Sequence, residues 1–191
     1  MTLTTELTSM LDKWDYSGIS QMCYSDENCE SYKKAAEFLD GVCEDWGGGT
    51  GWAKQYFKVY KNIDGSPHKN VDVLADLVKY TSKTENILMR QVLECNPEWK
   101  TILDNVKKSF SKKFCLIIYT PLDTETKTID EFIMVDSSGI TMDGVTISEI
   151  SFKREDILAY FPEKEYKVSE ETIKTNQGYG TEWILYVQKL A

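Results

Sequence analysis

Apolar residues recur at helical spacing through the first half of the chain. Leu3, Leu7, Met10, Leu11 and Trp14 fall at i, i+4, i+7, i+8 and i+11, which is one face of an α-helix. A polar break, "DYSGISQMCYSDEN", follows. Tyr32, Ala35, Ala36, Leu39, Val42, Cys43 and Trp46 then resume the period, with Ser25, Asp26 or Asn28 available as the N-cap. Trp52, Tyr56, Val59, Tyr60 and Ile63 suggest a third helix, although Tyr56 to Val59 also suits a strand. "NIDGSPHKN" is a loop, since Asp-Gly and Ser-Pro both form turns. Val71, Leu74, Leu77 and Val78 mark a further helix, as do Ile87, Leu88, Val92 and Cys95. The strongest stripe is Trp99, Ile102, Leu103, Val106 and Phe110, introduced by Asn96-Pro97.

At Phe114 the period changes. "FCLIIYT" is a short apolar run, and "TIDEFIMVD" reads as its hairpin partner across "PLDTETK". "ITMDGVTI" and "SEISF" continue the strands, and "KREDILAYF" reads as a short helix ending at Pro162. "EYKVS" and "TEWILYVQKL" supply late strands, with Trp183, Leu185 and Val187 alternating on one face of the second. Helices followed by strands make the α+β pattern. The expected fold is a helical N-terminal half, about 1–112, packed on a mostly antiparallel sheet in the C-terminal half. Residues 1–191 read as a single unit, divisible at most into a helical lobe (1–112) and a β-rich lobe (113–191).

Charge narrows the classes of function. The net charge is −9, distributed as −5 over residues 1–60, +3 over 61–113 and −7 over 114–191. Two acidic zones flanking a mildly basic middle disfavour nucleic-acid binding. No run of eighteen apolar residues suggests a membrane span, and "MTLTTELTSMLDKW" lacks the pattern of a secretory signal. The expectation is a soluble, cytoplasmic protein. Five cysteines, an odd number, argue for reduced thiols over a disulfide framework. Cys23 and Cys29 do not have the spacing of a zinc knuckle, and no metal site is expected.

"DWGGGTGWAK", residues 45–54, places four glycines in five positions between Trp46 and Trp52. A phosphate-binding loop or dinucleotide fingerprint needs a strand before the glycines, whereas the helical period runs up to Trp46. On that pattern the segment is a hinge after a helix, with Trp46 and Trp52 as flanking binding candidates, and no cofactor is predicted. The single histidine, His68, lies in a polar loop. "DSSGITMDG" departs from a calcium loop. Lys100, Lys107, Lys108, Lys112 and Lys113 surround the Trp99 stripe, where a core-facing helix with a basic end explains them.

Aromatics make up 12% of the chain, with eleven tyrosines. Together with the acidity they point to a non-enzymatic interaction protein, of inhibitor, immunity or viral accessory type, that binds a basic protein partner. Its contact set would be Glu125, Asp130, Glu131 and Asp136, with Tyr179 as anchor. One alternative is a small hydrolase-like enzyme using carboxylates or a thiol. Another is a subunit of a homo-oligomeric or virion assembly with "TEWILYVQKL" as a sheet edge.

Overall fold

The computed structural model describes residues 29–135, 141–175 and 179–190. Helix α1 (Glu30–Phe38) opens this part of the chain and buries Tyr32 and Ala35. It ends where Asp40 and Gly41 take positive φ, the amide of Gly41 donating back to Ala36 O at 2.8 Å. From there the chain enters β1 (Val42–Trp46), then a five-residue 3₁₀ turn (Trp52–Tyr56), β2 (Val59–Asp64), β3 (Val73–Leu74) and β4 (Thr84–Arg90). Helix α2 (Trp99–Ser109) leads directly into β5 (Phe110–Ile118). A hairpin of β6 (Lys127–Val135) and β7 (Thr141–Ser151) forms its own two-stranded sheet. Helix α3 (Arg154–Leu158), β8 (Tyr166–Lys174) and β9 (Thr181–Lys189) complete the chain.

The main sheet has seven strands in the order β3-β2-β1-β4-β5-β9-β8. Strands β1 to β5 pair in parallel, and β9 is antiparallel to both β5 and β8. Residues on successive strands alternate between two apolar clusters. Ile87, Met89, Phe114, Leu116, Leu185 and Val187 meet Trp99, Ile102, Leu103 and Val106 of α2. Leu88, Cys115, Ile117 and Ile184 meet Tyr32, Ala35 and Leu39 at α1. Both faces are therefore covered, as parallel sheets require.

The fold differs from the α+β expectation. The N-terminal half contains four strands of the parallel sheet, and the Val42–Trp46, Val71–Val78 and Ile87–Cys95 segments are not α-helices, the last holding only a 3₁₀ turn at Leu93–Cys95. The reason is the two-sided burial. Parallel strands covered on both faces lose the apolar–polar alternation that marks a strand, so "VCEDW" and "NILMR" carry apolar residues at intervals a helix would also use. From Phe114 onward the pattern and the structure agree on element type, but not on pairing. β5 does not pair with β6; it lies between β4 and β9. "TEWILYVQKL" is not an edge, because β8 covers its outer side. The α2 helix stands where the Trp99 stripe places it, starting after Glu98 and without a side-chain cap. The helical stripe at Leu3–Trp14 and the thiol of Cys23 lie outside the described residues. Among the described residues, no helix is long and apolar enough to cross a membrane.

Candidate functional site

All five parallel strands end along one edge of the sheet, and the strand order reverses between β1 and β4. In open α/β sheets such a reversal leaves a crevice at the carboxyl ends of the strands, where ligands bind. The glycine segment begins at this point, immediately after β1. The hinge reading of 45–54 is thus corrected: a strand precedes the glycines, and the loop is braced rather than loose. Gly47 and Gly51 have φ of 80° and 79°, a region that side chains with a Cβ rarely enter. The amide of Gly49 donates to Asp64 Oδ2 at 2.8 Å, and the amide of Ser66 to Asp64 Oδ1 at 2.8 Å. Asn62 Nδ2 donates to Gly49 O at 2.9 Å and to Asn70 O at 3.0 Å. Asn70 Nδ2 in turn donates to Thr50 O at 2.8 Å.

Gly48 leaves no room for a side chain. A Cβ there would stand 2.5 Å from Asn62 Oδ1, 2.7 Å from Asp45 Oδ2 and 2.8 Å from the Tyr60 hydroxyl. Asp45 lies under the loop, buried, and accepts a hydrogen bond from Tyr60 at 2.6 Å. Burial pushes its carboxyl up to about 7, against the opposing pull of the Tyr60 hydrogen bond. Three further oxygens near the crevice are buried without a hydrogen-bond partner: Thr50 Oγ1 on the loop, Asn62 Oδ1 on β2 and Asp76 Oδ2 beyond β3. Lys79 Nζ stands 3.9 Å from the last of these.

A second group occupies the ends of β4, β5 and β9. Arg90, the last residue of β4, places Nε 3.0 Å and Nη2 2.5 Å from Glu182 Oε1 of β9, and its guanidinium lies 4.8 Å from the centre of the Tyr32 ring. Glu94 is fully buried and accepts the amide of Tyr119 at 2.8 Å through Oε1, while its Oε2 has no hydrogen-bond partner. Burial pushes this carboxyl up to about 7. The hydroxyls of Tyr119 and Tyr179 each donate to one oxygen of Glu149 at 2.6 Å, and the two rings stack with centroids 6.0 Å apart.

The residues singled out by sequence divide between these groups and elsewhere. Tyr179 is 47% exposed and belongs to the second group. Asp130 pairs opposite Glu149 on the hairpin and acts electrostatically on Tyr179. Glu131 is its exposed neighbour on β6, and Glu125 lies just before that strand beside Lys127. Asp136 is outside the described residues. Trp46 is wholly buried, its indole N–H donating to Glu44 at 3.2 Å. Trp52 is half-buried in the 3₁₀ turn. His68 lies in the loop after β2, where its Nδ1 accepts the amide of Asn70 at 3.2 Å. Sequence reasoning missed Asp45, Asp64, Asp76, Glu94 and Glu149. The available signal was an acid at the end of one apolar segment, followed by glycines and by a second acid at Asp64 after the next.

No protein-family model and no curated protein sequence matches the chain. Solved structures do match. The chain superposes on 1,6-didemethyltoxoflavin-N1-methyltransferase of Burkholderia thailandensis, solved with 1,6-didemethyltoxoflavin and S-adenosylhomocysteine, with a TM-score of 0.62 and 11% identity. That match covers 100% of this chain and 92% of the other. Magnesium protoporphyrin IX methyltransferase of Synechocystis PCC 6803, solved with bound S-adenosylmethionine, matches with a TM-score of 0.59 and 14% identity, over 100% of both chains. An S-adenosylmethionine-dependent methyltransferase of Mesorhizobium loti matches with a TM-score of 0.55 and 10% identity, over 86% of this chain and 98% of that one. The fold is that of S-adenosylmethionine-dependent methyltransferases. This overturns the expectation of an acidic, non-enzymatic interaction protein of inhibitor or viral accessory type. That expectation rested on acidity, abundant tyrosine and the lack of a complete catalytic or cofactor motif, whereas the structure contains a strand–glycine–acid arrangement. The enzymatic alternative fits the fold better.

Proposed function

We propose that the chain binds S-adenosylmethionine at the β1–β4 crevice and transfers its methyl group to an acceptor. The carrying observation is the braced glycine loop after β1 with Asp64 at the end of β2, at the point where the strand order reverses. The residues present fit this molecule. An acid about twenty residues beyond the first strand's end stands where a ribose diol is met, and Asp64 has that place. Asp76 Oδ2 and Thr50 Oγ1 are buried oxygens without hydrogen-bond partners, suited to a ligand rich in N–H and O–H donors. The connection after the loop is a five-residue 3₁₀ turn rather than a long helix. It offers little of the N-terminal dipole that a pyrophosphate needs, while the buried carboxyl groups favour a cation.

When bound, S-adenosylmethionine supplies a methyl carbon on a sulfonium, which an acceptor lone pair takes as the carbon–sulfur bond breaks and its electron pair stays on sulfur. The chain's own part is to hold and orient. Asp64 and Asn62 fix the glycine loop, Tyr60 fixes Asp45 beneath it, and Glu94 is a buried carboxyl able to hold a proton near the ends of β4 and β5.

Calorimetric titration of the purified chain with S-adenosylmethionine and S-adenosylhomocysteine tests this. Saturable binding at one site is expected, weakened about tenfold or more by Asp64→Ala, which removes the acceptor of the Gly49 amide. A folded chain that binds neither compound would falsify the reading.

A further inference from the structure

We propose that the Tyr119–Glu149–Tyr179 cluster is the acceptor subsite and that it docks the acceptor by a cationic ammonium, which has no lone pair of its own, so that the methyl goes to an uncharged nucleophilic atom elsewhere on the same molecule. This rests on the S-adenosylmethionine reading for the word acceptor, but its geometry stands separately.

Four stretches of chain converge on the cluster. Glu94 and Cys95 follow β4, Tyr119 follows β5, Glu149 lies on β7, and Tyr179 precedes β9. It sits on the same edge of the sheet as the glycine loop. β1 and β5 are two strand spacings apart, roughly 10 Å, so one edge serves both a ligand on the loop and a second molecule at the cluster. Tyr179 is 47% exposed and forms the rim. Glu94 joins the cluster through the backbone of Tyr119: its carboxyl is fully buried, one oxygen is held by the amide of Tyr119, and the other has no hydrogen-bond partner.

The charges acting on the two tyrosines are acidic, while the cation Arg90 acts on Glu94. Glu94 and Glu149 both act on Tyr119 and on the thiol of Cys95, and Asp130 acts on Tyr179. The nearby guanidinium of Arg90 is turned to Glu182 and the Tyr32 ring. A carboxylate held by two phenols and flanked by their stacked rings matches an ammonium group on an apolar body. An anion at the same place would be repelled by Glu149.

A simpler account is available, in which the two phenol–carboxylate hydrogen bonds merely pin the hairpin to the main sheet. The test separates the two. Phenethylamine, phenethyl alcohol and hydrocinnamate share a phenyl body and differ in charge, and each is titrated by ligand-observed NMR, with and without S-adenosylhomocysteine. Phenethylamine should bind, and the other two should bind at least about tenfold more weakly. Glu149→Gln should abolish that preference, and Tyr179→Phe, a milder change at an exposed ring, should reduce it. Hydrocinnamate binding as tightly as the amine would overturn the subsite, as would a charge preference that survives in Glu149→Gln. A purely structural pin would lower the melting temperature of both variants and leave no charge preference in the parent chain. If S-adenosylhomocysteine fails to bind while the amine preference holds, methyl transfer falls and the cation site stands. Binding of S-adenosylhomocysteine with no amine preference overturns the subsite and leaves methyl transfer standing.

Discussion

Asp45 shows how a single residue carries a cost for its position. Its carboxyl is buried beneath the glycine loop, hydrogen-bonded to Tyr60, and raised from its ordinary 3.8 to about 7. Because the folded value exceeds the unfolded one, the folded chain holds a proton that the unfolded chain releases. Stability from this group is therefore full below about pH 4 and declines as pH rises, reaching a cost on the order of 4 kcal/mol above about pH 7. Asp45→Asn keeps an acceptor for Tyr60 and removes the titration. Its stability relative to the parent should improve by ~3 kcal/mol between about pH 5 and pH 8, measured by urea unfolding at each pH. Glu94 titrates over a similar range but is present in both proteins, so it cancels in the comparison. An identical difference at both pH values would mean that Asp45 is not desolvated.

At the scale of elements, α2 and its stripe determine how the sheet is covered. Trp99, Ile102, Leu103 and Val106 are all buried, and Trp99 packs edge-to-face on Phe152 with centroids 5.3 Å apart. Phe152 follows the β6–β7 hairpin, so this contact joins the crossover helix to the inserted sheet. Trp99→Ala should destabilise the chain by ~3–5 kcal/mol, read by chemical denaturation. A loss below ~1 kcal/mol would show that the stripe does not carry the core. The connections between β1 and β4 differ from α2 in having no α-helix of their own, only the 3₁₀ turn and short loops. Asn side chains substitute for helical packing there. Asn62 and Asn70 tie the glycine loop, and Asn86 Nδ2 bonds Leu39 O at 2.9 Å and Val42 O at 3.0 Å to fix the entry to β1.

For the whole molecule, a ligand in the crevice would add to the ties that Asp64, Asn62 and Asn70 already make between the segments following β1 and β2. Binding to the native state alone raises stability by about 2.7 kcal/mol at a hundredfold excess over Kd. For a chain of this size that is a rise in Tm of about 5–10 °C. Differential scanning fluorimetry with saturating S-adenosylhomocysteine should show it, and Asp64→Ala should remove most of it. An unchanged Tm at concentrations where calorimetry detects binding would place the ligand away from the crevice, on a surface equally available in the unfolded chain.

Local chemistry alone determined several parts of this protein. The α2 helix follows from the spacing of Trp99, Ile102, Leu103 and Val106, which form one apolar face with a clear period, and β9 from a short run of aromatic and β-branched residues bounded by polar ones, although it too is buried on both faces. The parallel strands were not legible in this way. Burial on both faces erases the period of two, and Val42, Cys43 and Trp46 then imitate a turn of helix continuing from α1. That single misassignment concealed the site, since glycines after a helix are a hinge and glycines after a strand at an order reversal are a ligand loop. Asp45, Asp64 and Asp76 are brought to one edge by pairing between strands, and Glu94, Tyr119, Glu149 and Tyr179 by the folding back of the hairpin and β9. Such contacts join residues tens of positions apart, and no local spacing encodes them. The chain's own periodicity determined where its well-segregated elements lie, and only the tertiary structure decided which of its many acids share a site.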